Sequence, residues 1–235
     1  MKVAIMQPYF LPYIGYFQLI NSVDVFVFYD DVNFIKGGWI NRNNLLVNKG
    51  KYLYTIPLTD ASANNLISET KINSNKFKRS IVKFLKTIEQ SYKNAPYYNE
   101  TMTLLNTIFD KEALTISELA IKSVKQVSYY LGINTNFETS SMKYPETKGM
   151  EKSKRLIAIC TKLGAESYVN LKGGIELYDK SYFNSKGVDI AFLEANISPY
   201  KQFSNEFVPA LSIIDILMFN NKVEVREMLD KYNLN

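Results

Sequence analysis

The chain has 235 residues, 46% hydrophobic and 22% charged, with 28 Lys and Arg against 23 Asp and Glu. These values suit a globular fold, exclude a disordered chain, and leave a net charge of +5 that favours anionic small molecules such as phosphate esters more than nucleic acid. There is no histidine and a single cysteine; this excludes Ser-His-Asp and Cys-His machinery, His-containing and Cys-rich zinc sites and any intrachain disulfide, and fits a reducing, cytoplasmic compartment.

Lys2 to Met6 reads as a short buried strand, followed by a turn from Pro8 to Pro12 and an apolar helix from about Tyr13 to Asn21. Gln7, Pro8, Pro12, Gln18 and Asn21 interrupt the apolar run and no small-residue cleavage site follows, so this stretch is read as fold and not as a signal peptide. Asp24 to Tyr29 (DVFVFY) is a second strand, and strand, helix, strand in about 30 residues is a βαβ unit that implies a parallel sheet. Lys51 to Pro57 alternates as a third strand. Helices are expected over Lys76–Lys93, Tyr97–Phe109, and from a Thr115/Glu118 capping box to near Gly132. The α/β pattern then returns. A strand is expected at Ile133–Thr139, a helix at Glu151–Leu163 ahead of Gly164, and a strand at Ser167–Asn170. A helix is expected from Gly173-Gly174 to Gly187, then a strand at Val188–Leu193. A helix beginning near Pro209 takes Leu211–Phe219 as its apolar body, and a last one runs over Val223–Tyr232. No stretch of about 20 apolar residues predicts a membrane span. The expectation is a single α/β domain over residues 1–235: a Rossmann-like, mostly parallel sheet with flanking helices and a helical segment, about 74–132, inserted within it.

Four segments carry candidate chemistry. In Gln7–Phe17 (QPYFLPYIGYF), at the carboxyl end of the first strand, Gln7 offers a donor and an acceptor. Tyr9, Tyr13 and Tyr16 offer aromatic faces, Gly15 allows close approach, and a helix start presents N–H groups to an anion. In Tyr29–Asn43 (YDDVNFIKGGWINRN), Asp30 and Asp31 could hold Mg²⁺ if phosphate chemistry is involved, or one could act as a base. Lys36 and Arg42 could clamp phosphates, Trp39 could stack on a ring, and Asn41 lies between them. In Tyr168–Tyr178 (YVNLKGGIELY), Asn170, Gly173, Gly174, Glu176 and Tyr178 surround a turn able to cradle an anion. Gln202–Asp215 contributes Glu206, and Asp215 sits on an apolar helix where it needs a partner, with a salt bridge or cap expected. Cys160 belongs to the apolar face of its helix, and Lys76, Arg79, Lys83 and Lys86 form a basic stripe, read as a solvated face. The 17 tyrosines suit a sugar or nucleotide cleft as well as a half-buried surface.

Together QPYFLPYIGYF, YDDVNFIKGGWINRN, ICTKLGAESYVNLKGGIELY and QFSNEFVPALSIIDILMFN resemble the WbqC-like protein family over nearly the whole chain. The resemblance implies a role in bacterial surface-polysaccharide (O-antigen) biosynthesis: modification of a nucleotide-linked amino-deoxy sugar by acyl or aminoacyl transfer. In that scheme Asp30, Asp31, Gln7 and Glu176 are the catalytic candidates; the other residues named in the four segments, Asp215 aside, bind substrate. A nucleotide-sugar-dependent glycosyltransferase and a non-catalytic binding protein stay open as alternatives. The layout of the first βαβ unit is also similar to nucleotidylyltransferase-type domains, but Pro12–Tyr16 lacks the His-x-Gly-His signature of their chemistry. A run from Lys148 to Lys154 is faintly similar to the Lys-Ser-rich loop of the same enzymes.

Overall fold

A computed structural model describes residues 1–235. It opens with β1 (Lys2–Met6), α1 (Ile14–Asn21) and β2 (Val25–Phe28), the expected βαβ unit. A hairpin of β3 (Arg42–Val47) and β4 (Gly50–Thr55) follows, then α2 (Ser74–Tyr92), α3 (Tyr98–Phe109) and α4 (Ile116–Leu131). The second half holds β5 (Asn136–Thr139), the short α5 (Ser140–Lys143), α6 (Lys152–Leu163), β6 (Ser167–Leu171), α7 (Lys180–Ser185) and β7 (Asp189–Ala195). It closes with α8 (Ile213–Phe219), α9 (Lys222–Leu229) and β8 (Tyr232–Leu234). The main sheet has six strands in the order β5-β2-β1-β6-β7-β8, all parallel except β8, which runs antiparallel to β7. The architecture is a Rossmann-like α/β fold.

Residue alternation explains why both faces are covered. Val3, Ile5, Val25 and Val27 point to one apolar core, with Leu156, Ile159 and Cys160 of α6 and Phe183 of α7. Ala4, Phe26 and Phe28 point to the other, which continues through α1 and the hairpin into α2, α3, α4, α8 and α9. The helical segment therefore shares a core with the sheet. Its ends are marked by side chains. The Thr115/Glu118 capping box opens α4, and Gly132, at φ +69°, closes it in the left-handed region.

Several elements differ from the sequence expectation. The Lys51–Pro57 strand leaves the parallel sheet and pairs with β3, a strand that its polar opening residues Arg42, Asn43 and Asn44 conceal. The two-residue turn, with Asn48 and Lys49 both at positive φ, sets the hairpin's register. The helix expected from Gly173 to Gly187 is a 3₁₀ turn over 172–177, a break, and then α7, capped afresh by Asp179. Pro209 does not start a helix: Ala210 takes φ +56°, and Ser212 caps α8 at Ile213. The last helix ends at Leu229, and Tyr232–Leu234 becomes the antiparallel edge strand. Asp215 has neither an ion pair nor a capping role. It is fully buried and accepts hydrogen bonds from Tyr92 Oη (2.8 Å), Tyr200 Oη (2.6 Å) and Gln202 Nε2 (2.7 Å). No helix is long and apolar enough to cross a membrane.

Candidate functional site

From β1 the chain crosses to β2 on one side, whereas from β6 it crosses to β7 on the other. The β1/β6 boundary is thus a topological switch point, and open parallel sheets leave a crevice there, beyond the carboxyl ends of the strands. The crevice is a cleft of about 1250 Å³, lined by Gln7 after β1, Tyr29 and Asp31 after β2, Asn170 and Leu171 of β6, and the start of α6.

The Pro8–Pro12 turn forms one shoulder. Leu11 is buried at φ +43°, a strained position for a leucine. Three distant elements hold it: Leu11 N–H donates to Ser123 Oγ (3.1 Å), and its carbonyl accepts from Asn43 Nδ2 (2.7 Å) and Ser212 Oγ (2.8 Å). Tyr16, fully buried, donates to the Gln7 carbonyl at 2.8 Å. Gln7 is thereby fixed by its backbone at the lining of the cleft.

The two aspartates divide their roles. Asp30 is turned away from the cleft, and its carboxylate accepts from Ser117 Oγ (3.3 Å), Ser140 Oγ (3.2 Å), Ser141 N–H (3.1 Å) and Ser141 Oγ (2.9 Å). It staples β2 to α4 and α5. Asp31 is the one acidic side chain lining the cleft. Its Oδ2 meets an Arg155 guanidinium nitrogen at 2.6 Å, with both side chains at least 96% buried, and its Oδ1 accepts from Ser140 Oγ. Arg155 is itself held by Thr147 Oγ1 (3.0 Å) and stacks 4.7 Å over the Tyr29 ring. Burial raises the Tyr29 phenol pKa, against the pull of Arg155.

On the β6 side Lys152 lies 4.9 Å over the Tyr178 ring. Burial lowers the Lys152 ammonium pKa, and burial pushes the Tyr178 phenol up to about 12. Lys148 and Lys152 line the cleft and enter no ion pair, whereas Arg155 is neutralised by Asp31. The cleft therefore carries an excess of two positive charges beside one carboxylate. A Cβ on Gly174 would stand 2.6 Å from Asn170 Nδ2, so a larger residue there would displace the Asn170 amide.

A model of the WbqC-like protein family matches residues 7–227. The chain belongs to that family. It is also 30% identical over 231 residues, 97% of either chain, to the uncharacterized protein Rv1507c of Mycobacterium tuberculosis. No solved structure matches. The WbqC-like match takes in every cleft-lining residue except Ile5 and Met6.

Of the residues singled out in this WbqC-like sequence, Gln7, Tyr9, Asp31, Trp39, Asn170, Gly173, Gly174 and Tyr178 line the cleft. The others do not. Tyr13, Gly15 and Tyr16 pack behind the turn, with the Tyr13 ring over Gly15. Asn41 is buried and donates to the Ile56 carbonyl (3.0 Å). Arg42 donates to the Gly38 carbonyl (2.9 Å) and sits 5.8 Å from the Trp39 ring. Lys36, Glu176 and Glu206 are exposed outside it. Asp30 and Asp31 do not form a metal pair: Asp30 is bound by serines away from the cleft, Arg155 neutralises Asp31, and no three Asp, Glu or Cys side chains cluster as metal ligands. Arg155 is an addition from the structure, and the Lys148–Lys154 run, noted for its likeness to a Lys-Ser-rich loop, brings Lys148 and Lys152 to the cleft. An arginine one turn before Ile159, on the apolar face of α6, was the available signal for Arg155.

Proposed function

We propose that the cleft binds a nucleotide-linked amino-deoxy sugar and that the protein transfers an acyl or aminoacyl group onto its amine, as a step in surface-polysaccharide biosynthesis. The observation that carries this reading is the pairing, in one cleft, of two unpaired cations with a single carboxylate: Lys148 and Lys152 suit a diphosphate, and Asp31 suits an amine. The volume of about 1250 Å³ exceeds the roughly 300–1,000 Å³ typical of one small-molecule site, which leaves room for an acceptor and a donor.

In the reaction the amine nitrogen attacks the donor carbonyl. A C–N bond forms, the bond to the leaving group breaks, and the amine proton passes by way of Asp31 to the leaving group. Each Asp31 oxygen accepts one hydrogen bond within the protein, so each keeps a lone pair for the amine. The Gln7 and Asn170 amides are the donors for the developing oxyanion, and with no histidine in the chain, positioning and electrostatics carry most of the acceleration. Metal-dependent glycosyl transfer is less well supported, because Asp30 does not line the cleft and Arg155 already neutralises Asp31.

The test is incubation with an amino-sugar nucleotide and a panel of acyl and aminoacyl donors, read by mass spectrometry. The expected result is a mass gain on the sugar nucleotide that Asp31→Asn abolishes. Binding without a mass gain from any donor would leave a sugar-nucleotide-binding protein and overturn the transferase reading.

A further inference from the structure

Strand order and side-chain contacts place the groups of the cleft in a row. Lys152 and Tyr178 stand on the β6 side, Gln7 over β1, and Asp31 with Arg155 and Tyr29 over β2. At about 4.8 Å per strand, the β6 and β2 positions are roughly 10 Å apart. Beyond Asp31 the cleft continues into a bay made by Val32, Asn33, Ile35, Trp39 and Leu66, with no charged side chain among them. The bay is built, not incidental. Asn33 bridges to Leu66, Phe34 N–H donates to the Asn65 carbonyl (2.8 Å), and Ile67 N–H donates to the Val32 carbonyl (2.9 Å). Buried Phe34 and Ile40 anchor both ends of the loop between them, which turns at Gly37 with φ +78°. Yet Ile35 and Trp39 remain 50% and 45% exposed, large apolar side chains held at the surface. Two cations stand at the outer edge: Lys36 is exposed, and the Arg42 guanidinium lies against Gly37 and Trp39.

We propose that this bay is the donor subsite of the reaction above, and that the donor is an apolar acyl thioester of a phosphopantetheine, with its acyl chain against Val32 and Leu66 and its pantetheine arm running over Ile35 and Trp39 to a phosphate at Lys36 and Arg42. The inference rests on the acyl-transfer reading and decides between its two branches. An aminoacyl donor carries its ammonium one carbon from the carbonyl and would set a further cation beside Asp31, which Arg155 already neutralises and the acceptor amine engages, whereas an apolar acyl group adds no charge there. The order along the cleft fits the chemistry: diphosphate at Lys148 and Lys152, amine at Asp31, thioester carbonyl next to it. As the C–N bond forms, the C–S bond breaks and the thiol leaves with the amine proton.

Trp39 is the only tryptophan of the chain, so its fluorescence reports occupancy of the bay. The experiment titrates the full-length protein with uncleavable thioether analogues of short-chain and medium-chain acyl-CoA, and separately with a carrier protein bearing the same acyl-phosphopantetheine ether. A glycyl analogue and an amino-sugar nucleotide are titrated in parallel. Saturable change of the Trp39 signal by the acyl analogues is expected. The glycyl analogue should bind at least tenfold more weakly, and Leu66→Ser and Lys36→Glu should each weaken the acyl analogue about tenfold while leaving sugar-nucleotide affinity unchanged. A response to free acyl-CoA or only to the carrier protein identifies the source of the phosphopantetheine. If the sugar nucleotide binds but no acyl analogue from either source perturbs Trp39, or if the glycyl analogue binds as well as the acyl ones, the bay is not this subsite, and the acceptor half of the reading stands apart from that failure.

Discussion

Two buried carboxylates in this protein have opposite surroundings. Asp31 faces a cation, Arg155, and opens on the cleft; Asp215 is sealed in the helical half of the core with three neutral donors, Tyr92, Tyr200 and Gln202. Desolvation raises the Asp215 carboxyl pKa, and its three hydrogen bonds only partly oppose the rise. Burial also raises the pKa of the two tyrosine hydroxyls, with Asp215 adding to the effect. The contrast separates an ion pair at the cleft wall from a polar knot that ties a loop, residues 196–212, to α8 and α2.

The largest expected effect is at the ion pair. Arg155→Met leaves Asp31 buried and unpaired, and should cost about 3–5 kcal/mol in urea unfolding at neutral pH. Adding Asp31→Asn should restore much of that loss; full additivity of the two costs would break the contrast, because it would mean that the pair is not coupled. Asp215→Asn comes next, at about 1–3 kcal/mol. Its sign with pH is opposite to that of an ordinary salt-bridged carboxylate. Because the folded protein raises this pKa, the group's stabilising contribution is fully present below the unfolded value, about 4, and is lost as pH rises through the folded value. The cost of Asp215→Asn should therefore be greatest in acid and shrink toward neutrality; a cost that grows with pH would show an ionised, well-compensated carboxylate. Smallest is Ser117→Ala, which removes one of several donors to Asp30 and should cost about 1 kcal/mol or less by thermal unfolding.

The parts of the fold that were legible in the sequence are those whose pattern is local. VAIM and VFVF read as buried strands because every residue meets a core, on alternating faces. Thr115 and Glu118 marked a helix start because the capping box needs only its own four residues. The hairpin strand β3 was hidden by its polar first half, whose asparagines serve other elements: Asn43 holds the Leu11 carbonyl. Pro209 suggested a helix start that Ala210's left-handed backbone and the Ser212 cap move four residues onward. At the site, segments ending β1, β2 and β6 were legible because parallel strands deliver their ends to one edge. The cationic wall was not. Lys148 lies before α6 and Lys152 opens it, in a run with only a faint likeness to a Lys-Ser-rich loop, and Arg155 gains meaning only when α6 lies across the strand ends and brings it to Asp31, 124 residues away. Lys36 and Arg42 carry charges in the right segment but on the outer side of its loop.

The central claim, that anionic substrate is held by the cleft and not by another basic surface, is tested most directly by calorimetric titration with an amino-sugar nucleotide. Lys148→Glu/Lys152→Glu is compared with Lys83→Glu on the exposed stripe of α2. The account predicts a loss of tenfold or more for the cleft pair and no change for Lys83→Glu; unchanged affinity in the cleft pair with loss at Lys83 would contradict it.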